Sequence, residues 1–225
     1  MKRLLDYIFI YIPALLIVTS ISWVLVYRWM PVKWTPLMMK RAIENAGSEN
    51  YCNRQNWVDK EQISPILIEA VLITEDQRFY SHKGFDMIEL KMMKEEHHLN
   101  GKDIRGCSTI SQQVAKNCFT SGSRTMLRKC IEAYYTILIE ILWGKERILE
   151  VYLNIAETGT GLFGVEAACQ RYFGTEASQI SISEAAALAC TLPKPLMRTP
   201  EVVMSRHSHK HAAVAKELGK KFNQI

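Results

Sequence analysis

The chain has 225 residues, 48% of them hydrophobic, with 28 Lys and Arg against 23 Asp and Glu for a formal charge of +5. That length supports one good core, so it excludes a string of large domains and leaves a catalytic-sized unit with an appendage. The positive balance suits a bilayer surface, a phosphate-bearing substrate or nucleic acid alike, but no stretch interleaves basic and aromatic residues as a recognition motif does, which sets nucleic acid aside.

Tyr7 to Tyr27 is an uncharged run of 21 residues between Asp6 and Arg28. At about 1.5 Å per residue it covers roughly the 30 Å of a bilayer core and predicts one transmembrane helix. It is longer than the apolar part of a signal peptide, and no A-x-A-like site precedes Trp29 and Pro31, so an uncleaved anchor is expected. Trp23, Tyr27, Trp29 and Trp34 fit an interfacial aromatic belt. Lys2 and Arg3 on one side oppose Arg28, Lys33, Lys40 and Arg41 on the other, so loop charge leaves the orientation open. We take residues 1–30 as the anchor and 31–56, where Pro, Gly, Asn and charges mix without a period, as a juxtamembrane segment with a short helix. Residues 57–205 are expected to fold as the main domain, and 206–225 to form a basic tail.

Within that domain, Ser64 as N-cap, Pro65 at the first helical position and apolar residues Ile66, Leu67, Ala70, Val71 and Ile73 predict a helix running into Thr74-Glu75-Asp76. Further helices are expected around Thr109–Asn117, Met126–Trp143, Lys145–Glu157, Leu162–Tyr172 and Ser183–Thr191. Gly144 separates two of them, and Ser183 with Glu184 resembles a helix start. Period-two alternation is scarce, so the fold class is all-α, or mainly α. Asp86–Arg105, with Asn100-Gly101, is expected to include a mobile loop. The tail reads as a solvated or membrane-facing helix. Cys52, Cys107, Cys118, Cys130, Cys169 and Cys190 form no C-x-x-C pair and no Cys/His cluster with zinc spacing, which argues against a metal-thiolate site. Most of them suit small buried positions. His97 and His98 are adjacent, point to different sides of a helix and lack a third ligand, which is poor metal geometry.

Four clusters can carry chemistry. In the first, Glu75 and Asp76 precede Phe79, His82 and Gly84. On a continued helix Glu75 and Phe79 share a face, and a carboxylate against an apolar ring is disfavoured as a charge, which suits a general base near neutral pH. A solvated, salt-bridged carboxylate is the plainer alternative. In the second, Gly106-Cys107-Ser108-Thr109 opens a helix carrying Gln113 and Lys116 on one face, able to attract an anion at its N-terminus or to be an ordinary capped helix. The third, from Arg124 through Arg128 and Lys129 to Glu132, is a cationic patch with one acid. An i,i+4 pair worth about 0.2–0.5 kcal/mol explains it blandly; a diphosphate grip, with Arg forks and a Lys point charge, explains it functionally. The fourth, Lys145 to Glu157 and on through Gly159, Gly161 and Gly164, looks architectural, with Asn154 and Glu157 as candidate cleft residues beside a Gly-rich turn.

These clusters spell E-D-x-x-F-x-x-H-x-G, G-x-S-T-I-x-Q-Q-x-x-K-N, R-K-x-x-E and K-x-x-I-L-E-x-Y-L-N, in that order. Together they resemble the peptidoglycan glycosyltransferases, over about Ile63 to Arg198. No transpeptidase domain follows within the chain, so the likeness is to the monofunctional form. The resemblance implies a lysozyme-like helical fold, lipid II and the lipid-linked nascent glycan as substrates, and undecaprenyl diphosphate as leaving group. It implies Glu75 as the base that deprotonates the acceptor 4-hydroxyl for inverting attack. Glu132 would be a second acid that helps position the donor diphosphate, with a divalent cation (Mg or Mn) as one means of doing so. Lys116, Arg124, Arg128 and Lys129 would hold diphosphate oxygens, while Asp76, Phe79, His82, Ser108, Thr109, Gln113 and Asn154 would bind substrate along the cleft. It places the protein in the cytoplasmic membrane with its domain on the outer face, near other wall-synthesis or division proteins. One departure is Gly106-Cys107, where the family usually has Gly-Gly.

Two other readings are weighed against this one. A lysozyme-like hydrolase or lytic transglycosylase needs an acid to protonate the leaving sugar oxygen but has little use for a diphosphate grip. A non-catalytic membrane scaffold would not need both Glu75 and Glu132.

Overall fold

The computed structural model describes residues 7–47, 51, 53–100, 108–120, 125–206 and 208–222. The expectations for Cys52, Gly101–Arg105, Gly106, Cys107 and Arg124 lie outside the described residues.

The chain opens with a π-helical turn, Tyr7–Tyr11, that continues into α1, Ile12–Trp29. The apolar helix Phe9–Trp29 is long enough to cross a membrane, and nearly all of it faces outward. Its second half is nevertheless built into the domain. Ser20 and Val24 are buried, Ser20 Oγ lies 2.7 Å from the Tyr134 hydroxyl, and Trp143 Nε1 donates to Val24 O at 2.8 Å. Of the four residues expected in an aromatic belt, Trp23, Trp29 and Trp34 stand exposed. Trp23 and Tyr27 also pack onto Phe119, which stacks on Tyr135. The helix end is closed by Arg147, which donates to Tyr27 O at 2.8 Å and to Met30 O, pairs with Glu150 and lies over the Trp57 ring. A helix leaves its last carbonyls without internal partners, and here a guanidinium from the domain supplies them.

The juxtamembrane segment also belongs to the fold. Thr35 caps α2, Pro36–Glu44, by accepting from Met38 N. Arg41 grips Glu157 with two hydrogen bonds of 2.8 and 2.9 Å, so the Glu157 expected in the cleft is committed to holding α2.

Two groups of helices make the core. In the first, α3 (Pro65–Glu75), α9 (Ile182–Thr191) and α11 (Ser208–Phe222) pack together. The small residues Ala185 to Ala187 and Ala189, all fully buried, allow the close approach. The Ser64 and Pro65 start is realised as read. The α9 cap is Ser181 rather than Ser183, because Glu184 closes a capping box on it. The tail is a helix with one side on the domain and the other in solvent: Val214 and Leu218 of α11 are buried while Lys210, Lys216 and Lys220 are exposed, and α10, Pro200–Arg206, leads into it. In the second group, α5 (Ile110–Phe119) packs between α6 (Met126–Leu142) and α7 (Lys145–Ile155).

Two expectations change. Asp86–Arg105 begins with a helix, α4 (Met87–Asn100), whose start is capped by Asp86 Oδ1 accepting from Ile88 N and Glu89 N. The helices expected over Lys145–Glu157 and Leu162–Tyr172 are trimmed by a small sheet of order β1-β3-β2. Its strands are β1 (Arg54–Gln55), β2 (Glu157–Gly159) and β3 (Leu162–Phe163), with β1 parallel and β2 antiparallel to β3. Gly164, at φ +81 and where an added Cβ would lie 2.6 Å from Asn154 O, immediately precedes α8 (Val165–Phe173).

Gly84 is the tightest joint between the loop after α3 and α6. At φ +87, a Cβ there would lie 2.8 Å from Thr136 Cγ2 and 3.2 Å from Glu140 Cγ. Gly84→Ala therefore combines left-handed strain with overpacking. It should lower stability by about 2–4 kcal/mol, read from denaturant unfolding of the detergent-solubilised chain.

Candidate active site

Glu75 is the last residue of α3, and Asp76 turns the backbone extended at φ −162. The helix therefore ends too soon for Glu75 and Phe79 to share a face. Phe79 lies in a short 3-10 turn, is 1% exposed and stacks under the Lys145 ammonium at 4.4 Å. The desolvation expected of Phe79 comes from the pocket itself. Glu75 Oε2 accepts from Gln113 Nε2 at 2.7 Å, Oε1 is buried without a partner, and the Tyr152 hydroxyl faces the same carboxyl. Burial pushes the Glu75 carboxyl up from its ordinary range, against the opposing pull of Gln113, Lys210, Tyr152 and Lys116. Tyr152 is itself fully buried and its hydroxyl is held well above its ordinary value, by burial first and then by Glu75.

The neighbouring polar residues are spent on holding this arrangement. Asp76 meets His82 Nε2 at 3.0 and 3.1 Å and accepts from Ile110 N, fixing the start of α5 beside Glu75. Thr109 caps α5 in a capping box with Gln112 and donates to Gly84 O at 2.6 Å. Asn154 is tied to both backbone groups of Val58 and to Glu150 O. Asp76, Phe79, His82, Thr109 and Asn154 are all buried. The polar ones among them find their partners inside the protein, as buried polar groups must. Gln113 is half-buried and Ser108 exposed.

Across the same cleft, Thr125 caps α6 by accepting from Arg128 N. Its first turns carry Arg128, Lys129 and Glu132. Glu132 is 2% exposed; Arg128 Nη1 donates to its Oε2 and Lys129 Nζ to its Oε1. Lys116 stands at the open side of α5. Crowding by the cleft walls pulls its ammonium below the ordinary value and Arg128 and Lys129 add to that, while Glu132 and Glu75 oppose it. Glu132 thus pairs with two cations, Arg128 and Lys129, and Lys116 stands under the influence of both Glu132 and Glu75, whose Oε1 is buried without a partner. Such a pairing can take a proton on one side and stabilise a developing anion on the other.

Among the described residues no three His, Cys, Asp or Glu come together to hold an ion, and both Glu132 oxygens already face cations. Cys118, Cys169 and Cys190 are free and buried, and burial raises the Cys169 thiol to about 12. Cys130 is free and exposed.

Two residues beside Glu75 were not singled out in the sequence. Tyr152 falls in the stretch that looks architectural, although a tyrosine buried in α7 needs a partner for its hydroxyl. Lys210 carried no signal at all within a basic tail.

A family profile described as Transglycosylase matches residues 41–219. The chain is 42% identical over 195 residues to a biosynthetic peptidoglycan transglycosylase of Caulobacter vibrioides, covering 87% of this chain and 82% of that protein. It is 46% identical to one of Bdellovibrio bacteriovorus, over 80% of this chain and 72% of the relative. With one of Pseudomonas putida it shares 47% over 79% of this chain and 75% of the relative.

Proposed function

The chain belongs to the transglycosylase family, and from that membership we propose how it polymerises the glycan strands of peptidoglycan for the cell wall. The substrates are lipid II and a lipid-linked growing strand. Glu75 takes the proton from the acceptor 4-hydroxyl, the freed oxygen attacks the donor anomeric carbon, and the bond to the diphosphate breaks with inversion. Gln113 holds the Glu75 carboxylate in line for that transfer. Lys116, Arg128 and Lys129, joined by Arg124, receive the charge that grows on undecaprenyl diphosphate, where donors fixed in advance stabilise most. Glu132 keeps Arg128 and Lys129 aimed. The observation that carries this reading is the Glu75 carboxyl, with one buried oxygen left without a partner, in the company of a cation cluster, since a glycan hydrolase gains nothing from such a cluster.

The single N-terminal apolar helix is consistent with a single-pass membrane anchor. We place the catalytic domain on the outer face of the cytoplasmic membrane, where a lipid-linked precursor is assembled into wall.

The steps above use the cluster's own cations, and chelation tests what a divalent ion at Glu132 adds to them. The test uses the full chain in detergent with labelled lipid II. The expected result is a muramidase-sensitive polymer, with chelation by EDTA changing the rate by less than about tenfold, the loss that removing one charged contact typically causes. Folded protein that makes no polymer overturns the reading. Soluble fragments released from a preformed glycan would establish the hydrolase, and collapse of the rate in EDTA would require a metal.

A further inference from the structure

We propose that Glu140 is a positioning residue for the base: by holding Ser111 it sets the rotation of α5, and with it the reach of Gln113 to Glu75. Three consecutive residues tie the start of α5 to its surroundings. Thr109 Oγ1 donates to Gly84 O at 2.6 Å, Ile110 N donates to Asp76 Oδ2 at 3.0 Å, and Ser111 Oγ donates to Glu140 Oε1 on α6. The first two fix where the helix begins. The third acts off the axis, through a side chain that is fully buried. Ser111 and Gln113 stand about 200° apart around the helix, so they face opposite ways. Side chains reach roughly 5–6 Å from a helix axis, and a turn of about 20° shifts their tips by about 2 Å. That is enough to undo the 2.7 Å contact from Gln113 Nε2 to Glu75 Oε2. Ile110, Val114 and Cys118 are also buried on this helix, but apolar burial is non-directional, and the bond to Glu140 adds a fixed direction.

Glu140 is itself held. Lys145 Nζ, at the start of α7, donates to the same Oε1 at 2.6 Å and lies 4.4 Å over the Phe79 ring. The Glu140 and Lys145 side chains are 9% and 18% exposed, and a carboxylate at that depth needs such a partner. Glu140 Cγ also backs onto the Gly84 joint. Glu132 and Glu140 are separated by about 12 Å along α6. One grips Arg128 and Lys129; the other sets the helix that carries Gln113 and Lys116. The spacing between the proton acceptor and the cations is therefore built into a single helix. Besides Gln113, the groups that act on the Glu75 carboxyl are Lys116 from α5, Tyr152 from α7 and Lys210 from α11. Gln113 donates directly, and a donated hydrogen bond favours the ionised form that a base needs.

The proposal rests on Glu75 being the base, and the experiment separates the two claims. Ser111→Ala, Glu140→Leu and Glu140→Gln are made in the full chain, with Ser111→Ala also placed on Gln113→Ala. Carbon-13 carboxyl NMR of Glu-labelled protein, with Glu75→Gln to identify the resonance, follows the Glu75 titration without any turnover. Expected for Ser111→Ala and Glu140→Leu is a titration moved upward, as in Gln113→Ala, and no further movement when Ser111→Ala is added to Gln113→Ala. Expected in kcat is a loss of about 10–10²-fold, the scale of a misplacement of about 1 Å, with the acid limb of the rate following the titration. Glu140→Gln keeps an acceptor for Ser111 and returns both toward the parent. Ser111→Ala removes a single oxygen, so it carries the test by itself if Glu140→Leu, which strands Lys145, does not fold. A titration that moves while Glu75→Gln still polymerises leaves the positioning standing and removes only the base assignment. An unmoved titration in Ser111→Ala overturns the proposal, and a lower melting temperature beside it makes the network structural alone. So does a further movement on top of Gln113→Ala, or an unchanged kcat in Ser111→Ala where Glu75→Gln is inactive.

Discussion

Glu75→Gln should reduce polymerisation by about 10²–10⁴-fold, the usual contribution of a general base, while making the folded protein more resistant to heat. The substitution keeps the size of the side chain and the contact with Gln113, and it removes a charge from a pocket where one oxygen has no partner. The sign follows from linkage. Burial raises the Glu75 carboxyl in the folded chain, so the folded state holds the proton to higher pH than the unfolded state does. Stability associated with that proton is present at low pH and lost as pH rises through the raised value. Above it the parent protein carries an unfavourable charge that the glutamine variant lacks. The same shift puts the acid limb of the parent's activity above the ordinary glutamate range, because the base works only when ionised. Thermal unfolding and lipid II turnover on one preparation test both halves; a variant that still turns over, or that melts lower, contradicts the assignment.

Glu132→Gln should cost about 10²–10³-fold in kcat, comparable to the loss of a donor aimed at a developing anion. Glutamine can accept from one of Arg128 and Lys129 but cannot draw both, and the two cations then repel each other and Lys116. Glu132 also raises the Lys116 ammonium, so its removal lets that group fall further below its ordinary value and weakens the grip on phosphate at high pH. A double variant with Arg128→Ala should lose little more than the single ones, because the residues act as a unit. Fully additive losses would show that they act separately. Unchanged kcat would take Glu132 out of the site.

These effects trace back to residues that differ in how openly the sequence declares them. Ser64-Pro65 and Gly144 announce helix boundaries through local backbone chemistry, and the folded chain keeps both. Ser183 misleads by two positions because the deciding signal is the spacing from Ser181 to Glu184, not the serine itself. Glu75, Lys116, Arg128, Lys129 and Glu132 were legible as charges in ordered clusters. That Asp76, His82 and Thr109 face inward was not, since a helix ending at Glu75 depends on Asp76 being drawn to His82 and to the first amide of a helix 34 residues away. Lys210 is the extreme case. Its influence on Glu75 arises across the tertiary fold, and nothing local encodes that encounter.

The closure of α1 by Arg147, Trp143 and Tyr134 gives the anchor a mechanical meaning. A domain on a slack tether sweeps a hemisphere, and its mouth meets a lipid-borne chain only in a fraction of its attitudes. Here the strut enters the body and is bolted at three heights, so tilt and elevation are set when the protein folds. Both substrates proposed above carry lipid tails that would confine them to the same plane. Search is then reduced from three dimensions to sliding within a sheet, with the cleft carried at one constant altitude.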